Sequence, residues 1–226
     1  MVMETEALLP ALEIDTAVPV RSSIIWLHGL GADGHDFEPI AAQLALPSEL
    51  GFRFVLPHAP HRAVTINNGV NMRAWYDILA MDRSKGEDAE GVRTSAAQIM
   101  ALVRREQQRG VSPERIVLAG FSQGGAIALH AGLRYGQRLG GILALSTYLP
   151  LPDQLKEEAE PINADVPIFM AHGTEDSVIP MEISDASISQ LQGLGYQVQM
   201  HHYNMGHGVC LEEIQDIRTW LVNIFS

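Results

Sequence analysis

The sequence GFSQG at residues 120–124 constrains the fold of this chain more than any other stretch. It follows an apolar run at residues 115–119, which is typical of a buried strand, and it precedes a helix-like pattern at residues 123–135. A G-x-S-x-G between a strand and a helix is a nucleophile elbow, a turn so sharp that the serine side chain projects away from the sheet. Both glycines are required because a Cβ there would collide with neighbouring backbone. We therefore expect Ser122 to lie exposed at a helix N-terminus, where N–H groups stabilise negative charge.

Strand-like and helix-like segments alternate along the rest of the chain. Strands are predicted by short apolar runs, and by one alternating pattern expected near a sheet edge, at residues 23–27, 52–56, 142–145, 167–171 and 196–203. Helices are predicted at residues 37–44, 91–110, 184–194 and 211–224. This alternation predicts a mostly parallel sheet with helices on both faces, and the elbow makes it an α/β-hydrolase fold. Residues 57–77 are predicted as a loop with a turn at residues 67–69.

Length and composition indicate one domain that spans residues 1–226. A chain of 226 residues without a linker or repeat fits a single core, and residues 1–20 are either poorly ordered or contribute an edge strand at residues 11–14. A hydrophobic content of 46% with 19% charged residues excludes a disordered chain. Since a membrane-spanning helix needs roughly 18 apolar residues, which no run approaches, and since the acidic start is unlike a secretory signal, we expect no stable membrane association.

The net charge and the number of cysteines indicate which partners and which cellular compartment to expect. The net charge of −12 repels phosphate backbones, so nucleic acid is not an expected partner. The single cysteine, Cys210, excludes an internal disulfide and agrees with a cytoplasmic location. No metal site is expected, because the sequence lacks H-E-x-x-H and one cysteine cannot form a structural zinc site.

The residues that could assist Ser122 follow other strands, since sites in open α/β sheets lie beyond the carboxyl ends of the strands. In this fold class the chain order is serine, acid, histidine. His207 is the histidine after Ser122 that falls on a loop past a strand end, so it is predicted to be the base. The acid follows the strand at residues 167–171, where spacing alone leaves both Glu175 and Asp176 open.

An oxyanion formed during attack by Ser122 needs two N–H donors. One is the backbone N–H of Gln123, directly after the serine. The other is expected from the turn HGLG at residues 28–31, where glycines let the backbone approach a substrate, and Leu30 is the predicted donor. His28, in the same turn, is interpreted as a residue that orders the turn, and Cys210 as core packing near His207.

Several segments, in order, are similar to those of a known family. The segments are IWLHGLG at 25–31, WYD at 75–77, GFSQGG at 120–125, HGTEDSVIP at 172–180 and GHGVC at 206–210. Together they resemble the bacterial carboxylesterase and acyl-protein thioesterase family, over nearly the whole chain from about residue 24 to 225.

The resemblance implies a set of roles. It implies Ser122 as nucleophile, Asp176 as acid and His207 as base, with Leu30 and Gln123 as oxyanion donors, and so it selects Asp176 over Glu175. It also implies an apolar substrate groove; its predicted residues are Trp75, Tyr148, Leu149 and Leu151. Family members hydrolyse short and medium acyl esters, lysophospholipids or protein thioesters without a cofactor, and they often form dimers.

The sequence therefore predicts a serine carboxylesterase that forms a covalent acyl-enzyme on Ser122. Its expected partner is a small-molecule ester or thioester, and a homodimer is implied by the resemblance. A lysophospholipase or acyl-protein thioesterase is the alternative within the hydrolases, because the loop at residues 148–152 is apolar. From another class, a non-catalytic ligand-binding protein of the same fold stays open, since fold alone does not determine function.

Overall fold

A mostly parallel seven-stranded sheet forms the centre of the molecule within residues 8–80 and 86–226, which the computed structural model describes. The strands are β1 Ala11–Asp15, β2 Ser22–Leu27, β3 Phe52–Pro57, β4 His61–Val64, β5 Val70–Arg73, β6 Ile116–Phe121, β7 Gly141–Leu145, β8 Ile168–Gly173 and β9 Val198–Tyr203. The order in the central sheet is β1-β3-β2-β6-β7-β8-β9. Among these described strands, only β1 runs antiparallel to its neighbour.

Helices cover both faces of this sheet. They are α1 Glu38–Gln43, α2 Ala89–Gln108, α3 Gln123–Leu133, α4 Pro152–Glu158, α5 Met181–Gly193 and α6 Leu211–Phe225. Apolar residues of α2, α3, α4 and α5 join one core cluster, and those of α1 and α6 join the other. The predicted fold class is confirmed by the mostly parallel sheet with helices on both faces. Every residue of β2 and β7 is buried, as expected for strands that are covered on both faces.

The edges of the sheet also match the sequence patterns. β9, which lies within the segment at residues 196–203 that was predicted near a sheet edge, lies at one edge, and β1 forms the other edge within the acidic N-terminal stretch. Of residues 1–20, for which disorder or an edge strand was expected, residues 11–15 form the strand, while residues 1–7 lie outside the described residues.

Two elements differ from the sequence-based prediction. The segment at residues 57–77 contains the antiparallel hairpin β4–β5 rather than only a loop, and its turn includes Asn68 and Gly69 in the left-handed region at φ 54° and 74°. Helix α4 begins at Pro152, directly after the apolar loop. Both elements are short and lie outside the central sheet, so they lack the apolar periodicity that marks longer segments.

Candidate active site

The strand β6 turns sharply into α3 at Ser122, as the GFSQG sequence predicts. Ser122 has φ 54° and ψ −121°, a left-handed conformation that a non-glycine residue adopts only when its surroundings hold it there. A Cβ at Gly120 would lie 2.3 Å from the Gly124 carbonyl oxygen, and one at Gly124 would lie 2.4 Å from the Leu27 carbonyl oxygen. The two glycines therefore allow α3 to approach β6 and β2 closely enough for the turn to form.

Asp176 and His207 are brought together from loops after β8 and β9. The carboxylate oxygen Oδ2 of Asp176 lies 2.7 Å from Nδ1 of His207. This distance is typical of a charge-assisted hydrogen bond in which the ring donates its Nδ1 proton. Such a bond holds the neutral imidazole in the tautomer whose Nε2 carries a lone pair and can accept a proton.

Asp176 itself is held by three further groups. Its other oxygen, Oδ1, accepts hydrogen bonds from the backbone N–H groups of Val178 and Ile179 at 2.8 and 2.9 Å. Nε2 of the buried His172 lies 3.3 Å from Oδ2 and donates to the Ile179 carbonyl oxygen at 2.8 Å. The adjacent Glu175 is exposed, so the fold aims one of the two neighbouring carboxylates at His207 and the other at solvent.

Phe121 supports the histidine from the side of the elbow. Its ring centroid lies 4.7 Å from that of His207. Ser122 and His207 line the same cavity, although the described residues include no hydrogen bond between the serine hydroxyl and the ring. In free enzymes such bonds are often long and shorten only when substrate binds.

The predicted oxyanion donors line this cavity as well. Gln123 is the first residue of α3, so its N–H has no partner within the helix. Leu30 lies in the turn after β2, and its N–H donates to no backbone carbonyl among the described residues. Both N–H groups are therefore available to a substrate oxygen.

His28 is engaged on both ring nitrogens, in agreement with its interpretation as a turn-ordering residue. Nδ1 donates to the Gly29 carbonyl oxygen at 2.7 Å, and Nε2 accepts from the Ala59 N–H at 3.0 Å. Burial lowers the pKa of His28 to about 4, although the bond to Gly29 opposes that shift. The neutral ring thus links the turn at residues 28–31 to the segment after β3, and it has no lone pair free for a substrate proton.

The cavity beside Ser122 has a volume of about 470 Å³ and mainly apolar walls. Its lining includes Ile66, Tyr76, Ile78, Val178, Ile179 and Ile183. The hydroxyl groups of Tyr76 and Tyr148 lie 2.7 Å apart at its boundary. A cavity of this size and character suits a small organic ligand with an apolar part.

Comparisons with known proteins agree with this geometry. The phospholipase/carboxylesterase family matches residues 13–224. The chain belongs to this family. Acyl-protein thioesterase 1 of Neurospora crassa is 38% identical, over 97% of this chain and 93% of its own. A probable carboxylesterase of Oryza sativa subsp. japonica is 34% identical, over 96% of this chain and 82% of its own. The crystal structure of SOBER1 from Arabidopsis thaliana is similar, with a TM-score of 0.86, 32% identity, and coverage of 92% of this chain and 100% of that one.

As a member of the phospholipase/carboxylesterase family, the chain is a hydrolase of carboxylic esters or thioesters. The family and the enzyme class predicted from sequence are thereby confirmed. Among the described residues, no helix is both long and apolar enough to cross a membrane. Within the same residues, no group of three or more metal-ligating side chains is placed to hold a metal ion.

The predicted substrate groove needs correction at three of its four residues. Tyr148 lines the cavity, but Trp75, Leu149 and Leu151 do not. Trp75 is fully buried and donates its indole N–H to the His28 carbonyl oxygen, while Leu149 and Leu151 pack into the core on the α2–α5 side. These apolar side chains are buried in the core. Residue type alone cannot distinguish a core position from the wall of a groove.

The residues that line the cavity in their place are neighbours that the sequence analysis did not select. Tyr76 follows Trp75 directly, and its side chain reaches the cavity while that of Trp75 enters the core. Phe121, inside the elbow motif, contacts His207. Val178 and Ile179 lie in the segment at residues 172–180, which the sequence analysis recognised. The sequence did not show that their side chains point into the cavity.

Cys210 is partly buried and packs at the margin of the core cluster formed with α1 and α6. This position agrees with its interpretation as a packing residue. The neighbouring carboxyl of Glu213 is fully buried, and burial raises its pKa to about 8 in spite of a hydrogen bond from the Cys210 N–H.

Proposed function

We propose that this protein is a serine hydrolase that cleaves acyl esters and thioesters through a covalent acyl-enzyme on Ser122. The 2.7 Å contact between Asp176 and His207, beside the cavity that Ser122 also lines, is the observation that carries the proposal. It supports a histidine whose Nε2 is free to accept a proton from the serine hydroxyl.

The reaction proceeds in two halves. His207 takes the proton of Ser122 as the serine oxygen attacks the acyl carbonyl carbon, and the resulting oxyanion is stabilised by the N–H groups of Leu30 and Gln123. The intermediate collapses, and the alcohol or thiol leaves with the proton held by His207. A water molecule, deprotonated by the same histidine, then attacks the acyl-enzyme, and release of the carboxylic acid regenerates Ser122.

The acyl chain is assigned to the apolar part of the cavity, which supports short to medium acyl groups as substrates. A second candidate is an acyl-protein thioesterase or lysophospholipase. It is favoured by the apolar walls contributed by Ile66, Ile78 and Ile183, and by the named activity of the Neurospora crassa relative. A series of p-nitrophenyl esters and matched thioesters from acetyl to palmitoyl separates the two, since kcat/KM peaks at short chains for the first and at long chains for the second.

Replacement of the nucleophile tests the mechanism itself. Ser122→Ala should abolish hydrolysis of p-nitrophenyl butyrate and labelling by a fluorophosphonate, while the circular dichroism spectrum stays that of the folded protein. Folded Ser122→Ala enzyme that kept its activity would refute the mechanism. A wild-type protein that reacts with neither reagent would instead support the non-catalytic ligand-binding protein.

The remaining expectations are part of this proposal. They are a homodimer, which light scattering can test, a cytoplasmic location supported by the single cysteine, and catalysis without a cofactor. The net charge of −12 supports the absence of a nucleic-acid partner.

A further inference from the structure

Trp75 connects the two backbone segments that carry the predicted oxyanion donors, although its side chain does not line the cavity. Its indole N–H donates to the His28 carbonyl oxygen at 2.8 Å, two residues before Leu30. Its backbone N–H donates to Oε1 of the Gln123 side chain, also at 2.8 Å. One fully buried residue therefore holds both the turn after β2 and the first residue of α3.

Further bonds fix Trp75 and Gln123 against each other. The Gln123 Nε2 group donates to the Tyr76 carbonyl oxygen at 2.7 Å, so the side-chain amide binds the backbone of residues 75 and 76 on both of its polar atoms. The hydroxyl of the buried Ser95, on α2, donates to the Trp75 carbonyl oxygen. In a buried setting each of these bonds is costly to break, because the partner left behind cannot reach water.

The spacing of two oxyanion donors matters more than their presence. Donors act when they lie about 2.7–3.1 Å from the position that the oxyanion will occupy, and loss of one such donor lowers kcat by about a hundred to a thousandfold. Leu30 and Gln123 are 93 positions apart in the chain, so their relative placement depends on contacts between segments.

We propose that Trp75 is a positioning residue that sets the relative placement of the Leu30 and Gln123 N–H groups, through its indole bond to His28 and its backbone bond to the Gln123 side chain. It acts on the transition state without touching the substrate. The inference rests on the proposed serine-hydrolase function and adds a determinant that lies outside the cavity.

Trp75→Phe is the direct test, because it removes the indole N–H and keeps an aromatic side chain. We expect kcat per active site to fall about tenfold, less than for loss of a whole donor, with KM changed by no more than about twofold. The affinity for a trifluoromethyl ketone, whose adduct with Ser122 places an oxyanion between the donors, should fall by the same factor as kcat. Active sites are counted by fluorophosphonate labelling, so loss of folded enzyme does not enter kcat.

Trp26→Phe is a matched control. Trp26 is equally buried, but its indole N–H has no hydrogen-bond partner among the described residues. We expect this variant to keep wild-type kcat and ketone affinity, even where its melting temperature falls. Equal effects of the two substitutions, or an unchanged kcat in Trp75→Phe, would overturn the positioning role.

Gln123→Met tests the other link of Trp75, the one to the Gln123 side chain, and it serves if Trp75→Phe does not fold. It removes both side-chain bonds to residues 75 and 76 and leaves the Gln123 backbone N–H in the chain. The expected result is again a lower kcat and weaker ketone binding at similar KM, and an unchanged kcat contradicts the proposal. Failure of Ser122→Ala to abolish activity would overturn the proposed function instead, so the two failures are distinguishable.

Discussion

Replacement of Asp176 by asparagine tests how the carboxylate controls His207. Two backbone N–H groups, those of Val178 and Ile179, point at Oδ1 of Asp176, so an asparagine at this position must place its carbonyl oxygen there. Its NH₂ group then occupies the place of Oδ2, which lies 2.7 Å from Nδ1 of His207. Since NH₂ can only donate, Nδ1 must become the acceptor and Nε2 must carry the proton. The ring then has no lone pair for the proton of Ser122.

The expected loss follows from that change of tautomer. A comparable substitution in a serine protease lowers kcat by about 10⁴-fold, which corresponds to about 5 kcal/mol in the activation barrier. The opposite asparagine orientation would aim NH₂ at two N–H groups and cost about 1–3 kcal/mol for each unsatisfied group, so it does not rescue the enzyme. The measurement is kcat for p-nitrophenyl butyrate, with folding checked by circular dichroism.

Glu175→Gln is the matched control for this prediction. It makes the same carboxylate-to-amide change one residue earlier, at a side chain that is exposed to solvent. We expect it to retain wild-type kcat. If Asp176→Asn kept its activity to within about tenfold of the wild type, or if Glu175→Gln lost as much, the assignment of the acid and the tautomer argument would both be refuted.

Two further predictions concern stability. Gly124→Ala should destabilise the fold by about 1–3 kcal/mol or more in urea unfolding, because its Cβ would lie 2.4 Å from the backbone oxygen of Leu27. Gly193→Ala, at the end of α5, should be tolerated, because a Cβ there would meet nothing within 4 Å outside its own helix and chain neighbours. Equal effects of the two substitutions would contradict the close-packing argument. Glu213→Gln should reduce the pH dependence of the free energy of unfolding, since burial raises the pKa of Glu213 from 4.5 to about 8. The folded state then binds more protons than the unfolded chain between these pH values, so the wild type loses stability, by up to a few kcal/mol, as pH rises through this window. Urea unfolding at pH 5 and 8 should show a smaller loss in the variant, and the same loss in both proteins would refute this explanation.

Much of the fold could be predicted because its signals are local. The apolar runs within β2, β6 and β7 reflect burial on both faces, and the mixture of polar and apolar residues in β9 reflects an edge position. The hairpin β4–β5 was missed, since its strands pair with each other outside the sheet and carry no buried periodic face.

The sequence by itself determined the elbow at Ser122 and the strands and helices of the α/β fold. These features depend on residues that are close together in the chain, because the glycines of the turn and the apolar periodicity of each element act locally. Spacing along the chain left both Glu175 and Asp176 open, the resemblance selected Asp176, and the tertiary structure shows the contact between Asp176 and His207. Only the tertiary structure decided that Tyr76 rather than Trp75 faces the cavity. Neighbouring side chains point in different directions, and the partners they meet come from distant segments. Their roles therefore follow from contacts that no local pattern encodes.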